Sequence, residues 1–185
     1  FINYTTALRS DRIMFNSDFH RNNFMDALRK FLKQFPDHNE LSNVDIINDK
    51  SIVVYLGLDL KKFDQYKIQS NNQIPIILWN HRWEYDKGPN LFFKTLFMLK
   101  DEGLDFDLIV LGKSHRKKPK IFDDAKEYLS KEIIHWGYAN SKSEYYELLV
   151  TANILLITGV QDFFGISVVE AIAAGCYPVL PKRLA

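Results

Sequence analysis

The sequence predicts an α/β fold in which a parallel sheet is wrapped by helices, and three observations predict it. Short apolar runs, typical of buried strands, alternate with longer segments whose apolar residues recur at helical spacing. Glycine and proline residues stand where these segments begin and end. The alternation repeats five times, and strands joined through helices in this way pair in parallel by right-handed crossovers.

The first block of the chain is predicted to comprise residues 1–65. Its expected elements are a strand at residues 12–15, a helix at 19–35, a polar loop at 37–50, a strand at 51–56 and a short helical turn at 59–63. The triplet Asn16-Ser17-Asp18 can cap the helix through its side-chain oxygens. The polar, aperiodic stretch 65–73 is the candidate linker to the second block.

The second block, residues 66–185, contains the alternation itself. Its predicted strands are residues 74–79, 106–111, 133–136, 154–157 and 177–180. Its predicted helices lie between Gly88 and Gly103, over 119–128, from Ser141 or Ser143 to Ala152, and between Gly165 and Gly175. Pro89 suits the first position of a helix, where no N–H bond is needed.

The bulk composition excludes several classes of protein. With 46% hydrophobic residues, 25% charged residues and a formal net charge of +1, the chain is not an overall strongly basic nucleic-acid binder. A single cysteine, Cys176, excludes an internal disulfide framework and is typical of a reducing cytoplasm. No apolar run approaches the roughly 20 residues that span a bilayer. Because the chain begins with Phe1 and stops just after a predicted strand, we expect an internal fragment of a longer protein.

The predicted strand ends indicate a ligand site. In open parallel sheets ligands bind outside the carboxyl ends of the strands. Four of these ends are followed by polar or glycine-containing segments that we expect to converge: His81–Arg82, Gly112–Lys113, Gly137–Tyr138 and the loop with Asp162. The pattern predicts a nucleotide-type site.

Arg82 and Lys87 are the candidate diphosphate ligands. A guanidinium offers a forked donor and an ammonium a point charge, and the predicted helix start at Gly165 would add backbone N–H groups. Alternatively, both are solvated surface cations, one paired with Glu84 or Asp86.

Two carboxylates flank the start of the same helix. At this position the Glu170 carboxylate would repel a bound diphosphate, so we expect it to face the ribose instead. The two vicinal hydroxyls of a ribose suit one bidentate acceptor. The alternative is a surface glutamate, although its neighbours in the helix are apolar. Asp162 is as readily interpreted as a helix cap.

Other patterns carry weaker signals. Tyr138 could stack on a base or cover the sheet edge, and Cys176 is expected to be a small buried hydrophobe. The histidines lack zinc spacing, and no ATPase phosphate loop, esterase elbow or dinucleotide fingerprint is present. A basic run over residues 113–120 is either a solvated loop or a contact for a nucleic-acid backbone.

Two motifs together resemble the retaining group 1 glycosyltransferases of the GT-B fold. They are R-x4-K-G, from Arg82 to Gly88, and D-x7-E, from Asp162 to Glu170, the latter followed by A-I-A-A-G-C-Y-P-V. The resemblance implies a Rossmann-like nucleotide-binding domain over 66–185 and the tail of an N-terminal acceptor-side domain over 1–65. The family has Glu where this chain has Asp162, so the shorter side chain bears on the choice of sugar.

The resemblance also implies roles for further residues. Asp162 would accept hydrogen bonds from hydroxyls of the transferred sugar, and backbone groups of Phe164, Gly165 and Ile166 would reach the sugar and the diphosphate. Gly137 and Tyr138 would border the base. These last five are donor-binding positions, whereas Arg82, Lys87, Asp162 and Glu170 are the candidate catalytic set.

A narrower likeness is to the tRNA-queuosine mannosyltransferases. It rests on W-N-H-R-W-E-Y-D-K-G-P, I-H-W-G-Y and D-F-F-G-I-S-V-V-E-A-I-A-A-G-C-Y-P. It implies GDP-mannose as the donor and the queuosine base of a tRNA as the acceptor. The alternatives are an enzyme that acts on an envelope saccharide or lipid, and a non-catalytic nucleotide-sugar or RNA-binding module.

The expected chemistry needs no metal ion, because Arg82, Lys87 and the helix dipole would stabilise charge on the leaving diphosphate. The acceptor side of the cleft would lie in a preceding N-terminal segment. We therefore expect the fragment alone to be inactive.

Overall fold

The computed structural model describes residues 1–37, 39–66, 73–114, 118–160 and 162–182. Most of the predicted linker, residues 67–72, lies outside the described residues. The described chain forms two compact units. The first comprises residues 1–58 together with 162–164, and the second contains the rest, starting at Asp59.

The first unit is a small α/β assembly. Its elements are α1 (Ile2–Arg9), β1 (Ile13–Phe15), α2 (Asp18–Leu32), α3 (Ser42–Asp49) and β2 (Ser51–Val53). Strands β1 and β2 pair in parallel. A cap within the triplet Asn16-Ser17-Asp18 is confirmed: Ser17 is the N-cap of α2, and its side chain accepts a hydrogen bond from the backbone N–H of His20.

The prediction of a polar loop over residues 37–50 is wrong, because most of that stretch is helix α3. The helix forms because Val44 and Ile47, three residues apart, lie on one face and are completely buried. Helix α1, which the sequence patterns did not predict, also has only two buried residues, Tyr4 and Ala7.

The second unit carries the predicted alternation. After a 3₁₀ helix at Lys61–Gln65, its strands are β3 (Ile76–Asn80), β4 (Asp107–Leu111), β5 (Ile133–Gly137), β6 (Ile154–Leu156) and β7 (Tyr177–Val179). Its α-helices are α4 (Pro89–Asp101), α5 (Ile121–Tyr128), α6 (Lys142–Thr151) and α7 (Ile166–Ala173).

The five strands form one sheet in the order β5-β4-β3-β6-β7, and every pairing in it is parallel. The predicted α/β class with a parallel sheet is confirmed. From β3 the chain first builds outward through β4 and β5, and then returns to the other side of β3 with β6 and β7. The order therefore reverses between β3 and β6, which is where a sheet of this type opens a crevice for ligands.

Alternate residues of β3 point to opposite faces of the sheet and enter two separate cores. Ile76 and Leu78 join a cluster that includes residues of α6 and α7. Ile77 and Trp79 join an aromatic cluster packed against α4 and α5, in which the Trp83 ring stacks on Phe122 with centroids 4.5 Å apart. The sheet is thus covered by helices on both faces, and its carboxyl edge is left as the place for polar loops.

The residues predicted to begin and end helices of the second unit occupy those positions. Pro89 opens α4, and Ser141, one of two predicted candidates, caps α6 by accepting from the N–H of Glu144. Gly165 and Gly175 bracket α7 and both have positive φ. Within the described ranges, no helix combines the length and the apolar character needed to cross a membrane.

Candidate functional site

The carboxyl ends of β3, β4 and β5 lie side by side in the second unit. The N–H of Gly112, after β4, donates to the carbonyl of Gly137, which ends β5, over 3.1 Å. The N–H of Trp83, after β3, donates to the carbonyl of Lys113 over 3.3 Å. A Cβ atom at Gly112 would lie 2.0 Å from the carbonyl oxygen of His81, so the approach of β4 to β3 requires glycine. The structure therefore brings three of the four predicted strand ends together.

Hydrogen bonds also join the loops on either side of the point where the strand order reverses. The hydroxyl of Thr158, after β6, lies 3.1 Å from the carbonyl oxygen of Lys87 and 2.9 Å from that of Gly88. The N–H of Val160 donates to the carbonyl of Asp86 over 2.7 Å. These bonds fix the loop that carries the predicted phosphate ligands.

Arg82 and Lys87 both have carboxylate neighbours. Arg82 Nη1 lies 3.1 Å from Glu84 Oε1, and Lys87 Nζ lies 3.2 Å from Asp86 Oδ2. The Arg82 side chain is 62% exposed, whereas that of Lys87 is 12% exposed. Exposed pairs of this kind contribute at most about 1 kcal/mol, so an anion with two charges can compete for the Arg82 guanidinium.

Glu170 is not a surface glutamate, because its side chain is 14% exposed and both of its oxygens have partners. Oε1 accepts from the ammonium of Lys62 over 2.7 Å, and Oε2 accepts from the hydroxyl of Tyr145 over 2.9 Å. The surface alternative is thus excluded, while the role of Glu170 toward a ribose stays a prediction.

Three residues around Glu170 were missed by reasoning from the sequence. They are Lys62 in the 3₁₀ helix, Tyr145 in α6 and Asn80 at the end of β3. Asn80 is 6% exposed, and its amide nitrogen donates to the Tyr145 hydroxyl over 3.0 Å and to the carbonyl of Ser167 over 3.1 Å. Lys62 and Tyr145 belong to no recognisable motif. Asn80 lies in the W-N-H-R-W string, but nothing in that string marks it as a hydrogen-bonding partner of Tyr145.

The ionisation of these groups follows from their surroundings. Burial disfavours the charge on Lys62, but its interactions with Glu170 and Tyr146 outweigh burial and hold the pKa of Lys62 above its ordinary value. Burial, together with the nearby charge of Glu170, raises the pKa of Tyr145 far above that of a free phenol. Lys62 is therefore a cation and Tyr145 a neutral hydroxyl at physiological pH.

The remaining donor-site candidates of the second unit lie at the same sheet edge or at the start of α7. Gly137 ends β5 with φ +130°, and Tyr138, the residue that follows it, is 74% exposed, as a stacking surface requires. Gly165 is the N-cap of α7 with φ +75°, and Ile166 is the first helical residue, 43% exposed. Their predicted contacts with base, sugar and diphosphate remain predictions.

Asp162 and Phe164 belong to the first unit. Between them, the carbonyl of Phe163 accepts a hydrogen bond from the Ser17 hydroxyl over 2.6 Å, and the Phe163 ring stacks on His20 with centroids 4.2 Å apart. Because Gly165 occupies the N-cap position of α7, the interpretation of Asp162 as the cap of that helix is wrong. Its convergence with Glu170 and Lys87 stays a prediction.

Two family models match the chain. The model described as tRNA-queuosine alpha-mannosyltransferase N-terminal matches residues 1–58. The model described as glycosyl transferases group 1 matches residues 61–182, which is more than half of the chain. The chain belongs to the group 1 glycosyltransferases. This membership confirms the resemblance seen in the R-x4-K-G and D-x7-E motifs.

The chain is also similar to two curated proteins that are named as glycosyl-transferring enzymes. The chain is 30% identical to a tRNA-queuosine alpha-mannosyltransferase of Drosophila melanogaster over 97% of its own length and 49% of the relative. It is 27% identical to the N,N'-diacetylbacillosaminyl-diphospho-undecaprenol alpha-1,3-N-acetylgalactosaminyltransferase of Campylobacter jejuni, over 79% of the chain and 41% of that protein. The chain thus spans about half the length of the curated relatives it matches.

Solved glycosyltransferases have the same architecture. A glycosyltransferase from Rickettsia africae superposes with a TM-score of 0.64 at 20% identity, covering 92% of this chain and 44% of that one. Anabaena HepE, solved in complex with UDP-glucose, superposes with a TM-score of 0.64 at 15% identity, covering 99% of this chain and 48% of that one. These similarities confirm the GT-B type fold predicted from the sequence.

The basic run of this group 1 glycosyltransferase is partly neutralised. His115, Arg116 and Lys117 lie outside the described residues. Lys118 pairs with Asp123 and Lys120 with Asp124, two carboxylates in the first turn of α5. The described part of the run therefore fits an ion-paired, solvated surface better than a phosphate-binding patch.

The single cysteine has the structural role expected from the sequence. Cys176 is buried, and its sulfur lies 3.4 Å and 3.5 Å from the carbonyl oxygens of Leu149 and Ala152. Burial raises the pKa of the Cys176 thiol to about 12, which removes its nucleophilic form at neutral pH. Among the described residues, no three His, Cys, Asp or Glu side chains are grouped so that they could hold a metal ion.

Proposed function

We propose that the full-length protein is a retaining glycosyltransferase that transfers mannose from GDP-mannose to the queuosine base of a tRNA. The observation that carries this proposal is the match of residues 1–58 to the N-terminal model of the tRNA-queuosine alpha-mannosyltransferases. The description of the group 1 model over residues 61–182 names no acceptor, whereas the N-terminal model is named for one reaction. The 30% identity to the Drosophila enzyme, along 97% of the chain, supports the same assignment.

In the proposed reaction the bond between the anomeric carbon and the diphosphate oxygen breaks. An acceptor hydroxyl oxygen forms the new bond on the same face of the sugar, and its proton leaves with the nucleoside diphosphate. Negative charge builds on the diphosphate as the bond breaks, so groups that bind it more tightly in that state accelerate the step.

Arg82 and Lys87 are our candidates for those groups. The bonds from Thr158 and Val160 hold the loop of Lys87 in one conformation, and a preorganised cation needs no rearrangement during the reaction. We assign the leaving diphosphate to the cations and to the start of α7, the ribose to Glu170 and the transferred sugar to Asp162. In this scheme the cations replace a divalent metal ion.

A lipid-linked acceptor is the second candidate function. The Campylobacter relative, whose name states a diphospho-undecaprenol acceptor, is 27% identical over 79% of the chain. The tRNA proposal has the stronger support, because its relative is more similar and covers more of the chain. A tRNA acceptor would also place the enzyme in the cytoplasm, as the single cysteine led us to expect.

The test is sugar transfer by the full-length protein. Radiolabelled GDP-mannose is incubated with tRNA that contains queuosine, with the same tRNA that contains guanine at that position, and with polyprenol-diphosphate saccharides. We expect label only in the queuosine tRNA, removable by an α-mannosidase. Label in the lipid fraction would establish the second candidate, and binding of GDP-mannose without transfer to any acceptor would establish a non-catalytic module.

A further inference from the structure

A directed chain of hydrogen bonds runs from β3 through α6 to the predicted ribose ligand. The amide nitrogen of Asn80 can only donate, so the Tyr145 oxygen, 3.0 Å away, must accept from it. The Tyr145 proton is then free to point to Glu170 Oε2, 2.9 Å away. The second amide proton of Asn80 is directed at the carbonyl of Ser167, which fixes which end of the amide faces Tyr145.

The hydrogen bonds from Asn80 to Glu170 are largely buried, and buried hydrogen bonds are stronger than those exposed to water. Asn80 is 6% exposed and the Glu170 side chain 14% exposed. Burial keeps the pKa of Tyr145 far above physiological pH. The Tyr145 hydroxyl therefore keeps its proton and can donate it to Glu170. The bond from Asn80 to the Ser167 carbonyl also ties the first turn of α7 to the end of β3.

The number of acceptor sites on Glu170 fits a vicinal diol. A carboxylate offers about four lone-pair sites, two on each oxygen. Lys62 takes one site on Oε1, and Tyr145 takes one site on Oε2. One site then remains on each oxygen, and two hydroxyls on neighbouring ribose carbons need one acceptor each.

We propose that Tyr145 is a positioning residue for Glu170, which it holds, with Asn80 behind it, in the orientation that accepts both ribose hydroxyls of the sugar donor. The inference rests on the proposed function, since it concerns the donor of that same site. Tyr145 itself does not touch the reacting atoms. Its effect is on the recognition of ribose, because without it the carboxylate rotates about its χ angles and pays conformational entropy on binding.

A merely structural role for Tyr145 predicts a different outcome. If the hydroxyl only satisfies a buried carboxylate, its loss lowers stability and weakens every nucleotide equally. If it positions Glu170 for the diol, its loss weakens binding only when the diol is present. Ribose and 2'-deoxyribose nucleotides separate the two roles, because the latter offers a single hydroxyl to Glu170.

The experiment measures binding of GDP and of 2'-deoxy-GDP to the full-length protein by isothermal titration calorimetry. In Tyr145→Phe we expect the dissociation constant for GDP to rise about 10-fold, as for loss of one hydrogen bond to a charged group, and that for 2'-deoxy-GDP to rise less than about 2-fold. The matched control is Tyr128→Phe. The hydroxyl of Tyr128, at the end of α5, likewise donates to a carboxylate, that of Asp101 at the end of α4. The control should leave both constants unchanged.

Equal weakening of both nucleotides in Tyr145→Phe, or no weakening of either, overturns the inference. Asn80→Ser is the second variant, since the short serine side chain cannot reach the Tyr145 hydroxyl. Like Tyr145→Phe, it should lower the ratio of the dissociation constant for 2'-deoxy-GDP to that for GDP. An unchanged ratio overturns the inference even if Tyr145→Phe does not fold. If the wild-type protein binds none of GDP, UDP and ADP, the proposed function itself fails. If it binds UDP or ADP instead of GDP, the same ribose and deoxyribose comparison is made with that nucleotide.

Discussion

Lys62 Nζ and Glu170 Oε1 lie 2.7 Å apart although 108 positions separate the two residues in the chain. The Lys62 side chain is 20% exposed, and its ammonium also lies 4.6 Å from the centroid of the Tyr146 ring. Lys62 belongs to the 3₁₀ helix that begins the second unit, and Glu170 to the helix that precedes its last strand. The pair thus joins the two ends of this unit at the predicted donor site.

Lys62→Met should lower the free energy of unfolding by roughly 1–3 kcal/mol, because it leaves the largely buried carboxylate of Glu170 without its cation. Urea denaturation measures the effect. Arg29→Met is the matched control, since Arg29 forms a similarly short pair with Asp45, 2.8 Å long, but both side chains are about half exposed or more. We expect the control to cost less than about 1 kcal/mol, and equal losses in the two variants would contradict the prediction.

Gly88→Ala should destabilise the protein far more than Gly103→Ala. Both glycines have positive φ, +68° and +76°, so each alanine carries the strain of a left-handed conformation, about 1–2 kcal/mol. Only at Gly88 would the new Cβ collide with other atoms, 2.2 Å from the carbonyl oxygen of Thr158, whereas nothing lies within 4 Å at Gly103. Thermal unfolding of the two variants measures the difference, and similar melting temperatures would show that the two loops do not pack as described.

Arg82→Ala and Lys87→Ala should each lower turnover of the full-length enzyme about 10²-fold or more, by analogy with the loss of an oxyanion donor. Their charges would stabilise the leaving diphosphate more than the bound donor, so the loss should fall on kcat. Lys120→Ala, which removes an 88% exposed cation paired with Asp124, is the control and should be neutral. Near-wild-type turnover in both site variants would refute the assignment of the diphosphate to these residues.

Stability should fall as the pH rises above about 9. Burial raises the pKa of Cys176 to about 12, so the folded protein holds the thiol proton that the unfolded chain loses near the ordinary thiol pKa of about 8.5. The unfolded state is therefore favoured progressively between these two values, by roughly 1–2 kcal/mol at pH 10 from this group. Urea denaturation at pH 7 and pH 10 measures the loss, and Cys176→Ala should reduce the difference. An identical difference in that variant would show that other groups cause the alkaline loss.

The sheet of the second unit was predictable because its signals are local. The buried strand β3 is a continuous apolar run, and α4 starts at a Gly-Pro pair. Helices α1 and α3 escaped prediction for the opposite reason. Each spans eight residues with two buried side chains, too short and too polar for a periodic signal, so packing within the first unit decides their structure.

The candidate site divides in the same way. Arg82, Lys87 and Glu170 could be named as candidates because the motifs that contain them are short and local in the sequence. Tyr145 and Lys62 could not be found, because a tyrosine or lysine in a helix carries no mark of a partner 25 or 108 positions away. Only the folded sheet brings Asn80 within reach of Tyr145, across 65 positions.

All three tryptophans of the chain, at positions 79, 83 and 136, belong to or pack against the aromatic cluster of the second unit. Intrinsic tryptophan fluorescence therefore reports on this unit alone, while far-ultraviolet circular dichroism sums both units. Denaturation curves that coincide by the two probes would mean that both units unfold in one cooperative step. Trp83 also directly follows Arg82, so the emission of the unlabelled protein offers a direct optical readout of events at the predicted diphosphate loop.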